Sequence, residues 1–177
     1  MPLTQTSYPF PPPTIVRFYV LVCFLLWLNG CTGLAHAADF SAKVIHIADG
    51  DTITVLNKEK EEIKIRLNGI DCPEKAQAYG NKAKQFTNDL VHGEMVTIQA
   101  HDQDKYGRTI GDVILEDGRN LSQELVKAGM AWWYFKYSED RELGRLELEA
   151  KLAHVGLWAG TNPVPPWVFR KIQDLLH

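Results

Sequence analysis

Apolar and polar residues alternate along much of the chain between residues 43 and 116, which is the pattern of strands with one buried face. Turn residues separate the alternating runs, and the Asp-Gly pair at residues 49–50 is a strong signal for a hairpin between the first two. The pattern predicts five short strands, over residues 43–49, 51–56, 62–70, 94–102 and 108–116.

Three other segments carry a helical pattern, over residues 75–91, 121–129 and 138–156. Ser138 is the predicted N-cap of the last helix and Gly156 its stop, and the tail that follows is rich in proline and tryptophan without clear periodicity. Strands do not alternate regularly with helices, so a central parallel sheet is disfavoured. The order of elements predicts an α+β domain that is mainly β, a five-stranded OB-fold barrel with three helices.

The amino end differs from the rest of the chain, because residues 1–37 contain no acidic residue and one basic residue, Arg17. Residues 15–28 are almost continuously apolar, and residues 35–37 (AHA) have the small-x-small pattern of a signal-peptidase site. The apolar run is short for a membrane span. We therefore predict a signal peptide over residues 1–37, a single domain over residues 38–177 without a transmembrane segment, and a secreted or periplasmic location.

A rival interpretation of the same segment is a lipoprotein signal. Residues 28–31 (LNGC) resemble a lipobox, in which a bacterial signal is cut before a cysteine that receives lipid, although the usual residue at Asn29 is smaller. A lipid anchor at Cys31, and hence a membrane-anchored lipoprotein, is the main alternative to soluble export. An uncleaved anchor ranks third.

Charge and cysteine content limit the partners and the covalent structure of the domain. The formal net charge is −3, and removal of residues 1–37 shifts it to −4 because only Arg17 is lost. The sequence therefore provides no broad basic face for nucleic acid, and an anionic ligand would need a local cluster of cations or a metal. Cys72 is the only cysteine after residue 37, so no intrachain disulfide can form in the mature chain.

Two aspartates flank the glycine of the predicted hairpin. Asp49 and Asp51 are two residues apart, so on a continuing strand their carboxylates would share a face. The alternative is a simple hairpin turn in which Asp-Gly supplies positive φ angles. An EF-hand is excluded, because its third ligand position would be Ile53 and the required glycine and late glutamate are missing.

The third predicted strand ends in a second cluster, in which Arg66 is followed by two acids, Asp71 and Glu74. Pro73 favours an extended conformation at Cys72, which can turn the Cys72 carbonyl out of the local ladder. The Asp71 carboxylate and this carbonyl would then be hard oxygen ligands for a divalent cation. Alternatively, both acids only favour the start of the next helix, a role that does not explain Arg66.

A third cluster, DKYGR, precedes the fifth predicted strand. Lys105, Tyr106 and Arg108 would form a phosphate-binding edge, since the fork of an arginine donates two hydrogen bonds to one phosphate. The alternative is a polar turn followed by an exposed arginine. Each of the three clusters is a modest signal when it is taken alone.

Taken together and in this order, the motifs DGDT, RLNGIDCPE and DKYGR resemble the thermonuclease family, the secreted staphylococcal-type nucleases. The resemblance extends from about residue 43 to the PPWVFRK tail. It implies an OB-fold barrel with attached helices, and calcium-dependent hydrolysis of the phosphodiesters of DNA and RNA that leaves 3′-phosphate products.

The resemblance also implies a calcium site. Asp51 and Asp71 are its implied carboxylate ligands, and the Cys72 carbonyl is its implied backbone ligand. Asp49 is implied to support these ligands without binding the cation directly. The best-known member of the family has a threonine where Cys72 stands, a change that a backbone ligand tolerates. That member is also strongly basic, whereas this chain is acidic, which argues against tight binding to long polymers.

The remaining residues of the motifs are implied to act on the substrate. Glu74 activates or orients the attacking water, Arg66 and Arg108 bind the phosphate, and Lys105 and Tyr106 contact the nucleotide. These residue types suit the chemistry, because cations neutralise the charge of the phosphodiester and a carboxylate can take a proton from water. The aromatic run at residues 131–137 could stack on bases or pack within the domain.

Two other functions are compatible with the same fold. A non-catalytic OB-fold module would bind nucleic acid without cutting it. A structural lipoprotein of the envelope would neither bind nor cut nucleic acid. A degenerate module should have lost part of the set of acids and arginines. Because the set is complete, we predict a nuclease, and we expect it to be a monomer.

Overall fold

The computed structural model describes residues 39–176 of the chain. The predicted signal peptide and the lipid site at Cys31 lie outside these residues. The strands are β1 Phe40–Asp49, β2 Thr52–Leu56, β3 Glu62–Leu67, β4 Ile70–Asp71, β5 Met95–Gln103, β6 Thr109–Ile114 and β7 Trp132–Trp133. The helices are α1 Gly80–Val91, α2 Leu121–Lys127, α3 Arg141–Leu152 and α4 Pro166–Leu176, with a 3₁₀ turn at Gly156–Ala159.

Five of the strands close into a barrel in the order β1-β2-β3-β6-β5. Neighbouring strands are antiparallel, except that β3 and β6 run parallel. The alternation of the sequence directs one set of apolar side chains inward, and the fully buried members include Val44, Ile53, Ile65, Ile98 and Val113. The prediction of a five-stranded OB-type barrel is confirmed.

The third predicted strand is divided into two elements. β3 ends at Leu67, and Gly69 then adopts a φ of 75°, a left-handed conformation that glycine enters without strain. The chain becomes extended again as β4, which pairs with β7 rather than with a strand of the barrel. The break therefore places Asp71 on a two-stranded ribbon outside the closed sheet.

The helices differ from the predictions at their ends. α1 begins at Gly80, because residues 75–79 form turns and Tyr79 has a left-handed φ of 68°. α3 begins after Asp140, whose carboxylate accepts a hydrogen bond from the Glu142 N–H at 2.9 Å. Aspartate is a strong N-cap, and it replaces the predicted Ser138 in that role.

A fourth helix, α4, was absent from the prediction of three. It begins at Pro166, and proline suits the first turn of a helix because its missing N–H would have no partner there. The cluster of prolines before it masks the short helical pattern. None of the helices within residues 39–176 is long and apolar enough to cross a membrane.

Aromatic contacts hold α4 against the ribbon. Trp167 stacks on Tyr134, with ring centroids 5.0 Å apart and 1° between the ring planes, and meets Trp132 edge-on at 5.8 Å. Trp132 in turn meets the buried Trp158 edge-on at 4.4 Å. Each such pair contributes about 0.5–1.5 kcal/mol beyond area burial. Trp132 of the aromatic run thus serves packing, and its contact with Trp167 holds α4 beside the ribbon.

Candidate active site

Arg66 on β3 lies between two of the predicted metal carboxylates. Its Nη1 is 3.0 Å from Asp51 Oδ2, and its Nη2 donates to Asp71 Oδ1 at 2.9 Å. Burial alone would lower the pKa of Arg66, but the carboxylates of Asp51 and Asp71 outweigh burial and raise that pKa above its ordinary value. Arg66 is therefore a permanent positive charge that holds the two carboxylates together.

Asp51 is buried, and both of its carboxylate oxygens accept hydrogen bonds. Oδ2 accepts from the backbone N–H of Cys72 at 2.6 Å, and Oδ1 accepts from the Thr52 hydroxyl at 3.2 Å. The turn before Asp51 is anchored by Thr87 of α1, whose hydroxyl donates to the Gly50 carbonyl at 2.6 Å. These bonds bring the first and second sequence clusters into direct contact.

Asp71 is 2% exposed, and guanidinium groups cover both of its oxygens. Oδ1 accepts from Arg66, while Oδ2 accepts from Arg170 at 2.8 Å. Burial raises the pKa of Asp71 and the two arginines lower it, with a net effect above the ordinary value. The charge of Asp71 therefore depends on its arginine partners.

Arg170 is a residue of the site that sequence reasoning missed. It projects from α4, and its Nη1 donates to Glu74 Oε1 at 2.7 Å, so one guanidinium group joins the carboxylates of Asp71 and Glu74. In the sequence it is only an arginine in the proline- and tryptophan-rich tail, for which no helix was predicted. Nothing in the spacing indicated that the tail returns to the site.

The loop that carries Glu74 closes tightly on the start of α1. The Gln77 N–H donates to the Glu74 carbonyl at 2.8 Å, and the Gly80 N–H donates to the Gln77 carbonyl at 3.0 Å. A Cβ atom at Gly80 would collide with the Glu74 carbonyl, so this position requires glycine. The backbone of Glu74 is therefore fixed, although 40% of its side chain is exposed.

Burial also raises the pKa values of two further predicted residues of the site. The pKa of Asp49 is about 6, because burial disfavours its charge and the adjacent Asp51 carboxylate repels it. Burial raises the pKa of the Cys72 thiol well above its ordinary range. The Cys72 side chain is also 4% exposed and packs in the hydrophobic core, so its sulfur is a neutral thiol and the carbonyl is left for the predicted role.

The third sequence cluster forms the loop between β5 and β6. Asp104 organises this loop: its Oδ1 accepts from the N–H groups of Tyr106 and Arg108, and its Oδ2 accepts from Arg108 Nε at 2.7 Å. Arg108 also donates to the Thr52 hydroxyl at 3.3 Å, so described residues use two of its five N–H donors. Tyr106 is 72% exposed, and Lys105 Nζ lies 5.0 Å from its ring centroid.

One cleft of about 820 Å³ brings the three clusters together, a size within the usual range of ligand sites. All nine residues that were predicted from the sequence line it: Asp49, Asp51, Arg66, Asp71, Cys72, Glu74, Lys105, Tyr106 and Arg108. Arg170, Tyr134 and Tyr137 complete its polar and aromatic walls.

The charge of the cleft suits a cation beside the carboxylates. Six carboxylates line the cleft against four cationic side chains, which leaves an excess of negative charge. The acids are Asp49, Asp51, Asp71, Glu74, Asp102 and Asp104, and the cations are Arg66, Lys105, Arg108 and Arg170. Burial, and after it repulsion by the Asp51 carboxylate, raise the pKa of Asp49 at the edge of this group.

A cation at this place would have few side-chain ligands. Three or more His, Cys, Asp or Glu side chains do not converge in a metal-holding group anywhere in residues 39–176. Two carboxylates, a backbone carbonyl and water form the kind of open oxygen site that hard divalent cations accept. The donor set therefore fits such a cation, provided that backbone and water oxygens complete its shell.

Comparisons with known proteins agree with this geometry. A family model described as staphylococcal nuclease homologue matches residues 64–160, a span that includes Arg66, Asp71, Glu74 and Arg108. An uncharacterized endonuclease of Escherichia coli is 43% identical over 133 residues, which cover 75% of this chain and 86% of that protein. A micrococcal nuclease of Shigella flexneri is 38% identical over 144 residues, which cover 76% of this chain and 82% of that protein. With its OB-type barrel and its cleft of carboxylates and arginines, the chain belongs to the staphylococcal nuclease family of nucleic-acid hydrolases.

Proposed function

We propose that the protein is an exported, calcium-dependent nuclease that cleaves DNA and RNA by attack of water on phosphorus and leaves 3′-phosphate ends. The observation that carries the proposal is the convergence of nine residues from three separate sequence clusters on one cleft. A structural domain would need neither the partly buried Arg66 between two carboxylates nor the partly exposed Glu74 beside them.

Calcium would be held by the carboxylates of Asp51 and Asp71 and by the Cys72 carbonyl, with water in the remaining positions. When it is bound, the cation polarises the phosphoryl oxygen and neutralises part of the charge that repels the attacking water. Asp49 supports this arrangement by accepting a hydrogen bond from the Asp51 N–H at 3.3 Å. The excess of carboxylates over guanidinium groups beside Asp51 supports the choice of a divalent cation.

Glu74 is the residue that would remove a proton from the attacking water. Its Oε1 is bonded to Arg170, whereas its Oε2 accepts no hydrogen bond from any residue between 39 and 176. A free, partly exposed carboxylate oxygen can accept the proton as the water attacks, and general-base catalysis of this kind is typically worth about 10²–10⁴-fold.

The arginines would bind the phosphate and stabilise its charge as the bond to the leaving oxygen breaks. Three of the five N–H donors of Arg108 bind no residue between 39 and 176, so they are available to a phosphate. Asp104 anchors the side chain, and its guanidinium is already oriented toward the cleft. Arg66 is fixed beside the proposed cation, where its charge acts over a short distance in a partly buried site. Preorganised donors of this kind stabilise a transition state without reorganisation during the reaction.

The walls of the cleft supply contacts for the nucleotide around the scissile phosphate. Lys105 and Tyr106 form one wall, and Tyr134 and Tyr137 lie on another. Tyr106 and Tyr137 expose 72% and 74% of their surface, as rings available for base stacking would. Stacking does not depend on the identity of the sugar, which supports action on both DNA and RNA.

Analysis of product ends tests the proposed reaction. Single-stranded DNA labelled at its 5′ end, incubated with the protein and calcium, should give labelled fragments that end in a 3′-phosphate. A phosphatase that removes 3′-phosphates should shift the mobility of these fragments, and excess chelator should prevent their formation. Fragments that end in a 3′-hydroxyl would contradict the proposed direction of cleavage, and binding without cleavage would favour the non-catalytic module.

Export has its own test, because the proposed leader ends at residue 37. Mass spectrometry of the protein isolated from its producing cells should give a chain that starts at residue 38, and light scattering should give the mass of one chain. A lipid-modified chain that starts at Cys31 would instead establish the membrane-anchored alternative.

A further inference from the structure

Arg170 contacts the cleft from the far end of the chain. Its Nη2 is 2.8 Å from Asp71 Oδ2 and its Nη1 is 2.7 Å from Glu74 Oε1. Glu74 lies 96 residues earlier in the sequence, so this contact depends on the position of α4, which Trp167 holds against Trp132 and Tyr134. The contact is polar and specific, and the packing of α4 on Trp132 and Tyr134 does not by itself require it.

A second connection between the tail and Glu74 runs through Gln77. The Gln77 side-chain oxygen accepts from the Glu74 N–H at 3.2 Å, and its amide nitrogen donates to the Val164 carbonyl just before α4. The backbone and the side chain of Glu74 are therefore both tied to the tail, by Gln77 and by Arg170.

These contacts decide which oxygen of Glu74 faces a ligand. A glutamate side chain that is 40% exposed would otherwise sample several rotamers. The guanidinium of Arg170 binds Oε1 and thereby fixes the plane of the carboxylate. Oε2 is left for water, which is the arrangement that a general base needs.

We propose that Arg170 is a positioning residue of the nuclease reaction, which orients the Glu74 carboxylate from the C-terminal helix. The inference rests on the proposed function, since it assigns Arg170 an effect only through the proton acceptor Glu74. Arginine suits the task because its planar fork can bridge two carboxylates at once, whereas a lysine would provide a single point charge.

The test is a double-mutant cycle on single-stranded DNA cleavage, at a calcium concentration that saturates the unmodified protein. Arg170→Ala should lower kcat by about 10–100-fold with KM changed less than about threefold, as expected for a group that orients a functional side chain. Arg170→Lys should recover part of the loss. In a Glu74→Gln background, Arg170→Ala should change kcat by less than about threefold, because the group that Arg170 orients no longer acts.

Arg119→Ala is the matched control, since Arg119 pairs with Asp117 and Glu124 and does not line the cleft. It should leave kcat unchanged in both backgrounds. Circular dichroism must show that each variant is folded at the assay temperature, and Arg170→Lys replaces Arg170→Ala in the cycle if the alanine variant unfolds.

Three outcomes would overturn the inference while the proposed function stands. The first is that Arg170→Ala lowers kcat equally with Glu74 and with Gln at position 74, and the second is that it changes KM alone. The third is that higher calcium fully restores the activity of Arg170→Ala, which would show that Arg170 acts through Asp71. If the unmodified protein cuts no nucleic acid with any divalent cation, the proposed function itself fails and the inference fails with it.

Discussion

Replacement of Arg66 by alanine is expected to lower both the free energy of unfolding and the rate of cleavage. The side chains of Asp51 and Asp71 beside it are 8% and 3% exposed, so loss of Arg66 leaves two buried carboxylates short of a partner. Loss of one member of a buried ion pair costs about 3–5 kcal/mol, because the remaining charge is poorly solvated. Removal of a preorganised donor from the site should also lower kcat by about 10²–10³-fold.

Urea denaturation and single-turnover cleavage measure these two effects separately. Arg119→Ala again serves as the control, because it also removes an arginine engaged in two ion pairs but lies at the protein surface. It should unfold at the same urea concentration as the unmodified protein and cleave at the same rate. An Arg66→Ala variant with unchanged stability would show that Asp51 and Asp71 do not depend on Arg66 as the geometry indicates.

Replacement of Glu74 by glutamine is expected to lower kcat by about 10²–10⁴-fold without a change in the thermal midpoint of unfolding. Glutamine keeps the shape of the side chain and can still accept a hydrogen bond from Arg170, but it cannot take a proton from water. Because the Glu74 side chain is 40% exposed, the substitution leaves no buried group unpaired.

Steady-state cleavage assays measure kcat, and differential scanning calorimetry measures the thermal midpoint of unfolding. Glu94→Gln is a matched control, because Glu94 is an exposed glutamate in the turn before β5 and does not line the cleft. It should leave both quantities unchanged. Equal cleavage by the unmodified protein and Glu74→Gln would rule out the role of Glu74 as the proton acceptor.

The barrel was predictable from the sequence because its strands have one buried face, which imposes a period of two on the apolar residues. The break after β3 could not be predicted from the pattern. It depends on the left-handed Gly69 and on pairing between β4 and β7, and the short segment at Trp132–Trp133 carries no strand pattern of its own. The pattern of residues 62–70 therefore predicts a single strand.

The site residues were predictable as three clusters, but their meeting was supplied by the resemblance and not by spacing. The parallel pairing of β3 with β6 places Arg66 opposite Ile110, which brings Arg108 within reach of the second cluster. The hydrogen bond from the Cys72 N–H to Asp51 does the same for the first cluster. Both contacts join segments far apart in sequence, and local patterns do not encode them.

Arg170 marks the limit of sequence reasoning for this protein. Its helix follows a run of prolines, and the position of that helix depends on the stacking of Trp167 on Tyr134. An aromatic stack between two distant segments has no periodic signature. The acidic net charge was similarly uninformative about the site, because the cations of the cleft are concentrated at a few positions beside a larger number of carboxylates.

The most direct test of the central claim is the rate at which the purified protein cleaves single-stranded DNA as free calcium is raised from zero. The account predicts no cleavage in excess chelator, a saturable rise with calcium, and complete loss of activity when chelator is added again. Cleavage that continues at full rate in excess chelator, or an absence of cleavage with every divalent cation, would contradict it.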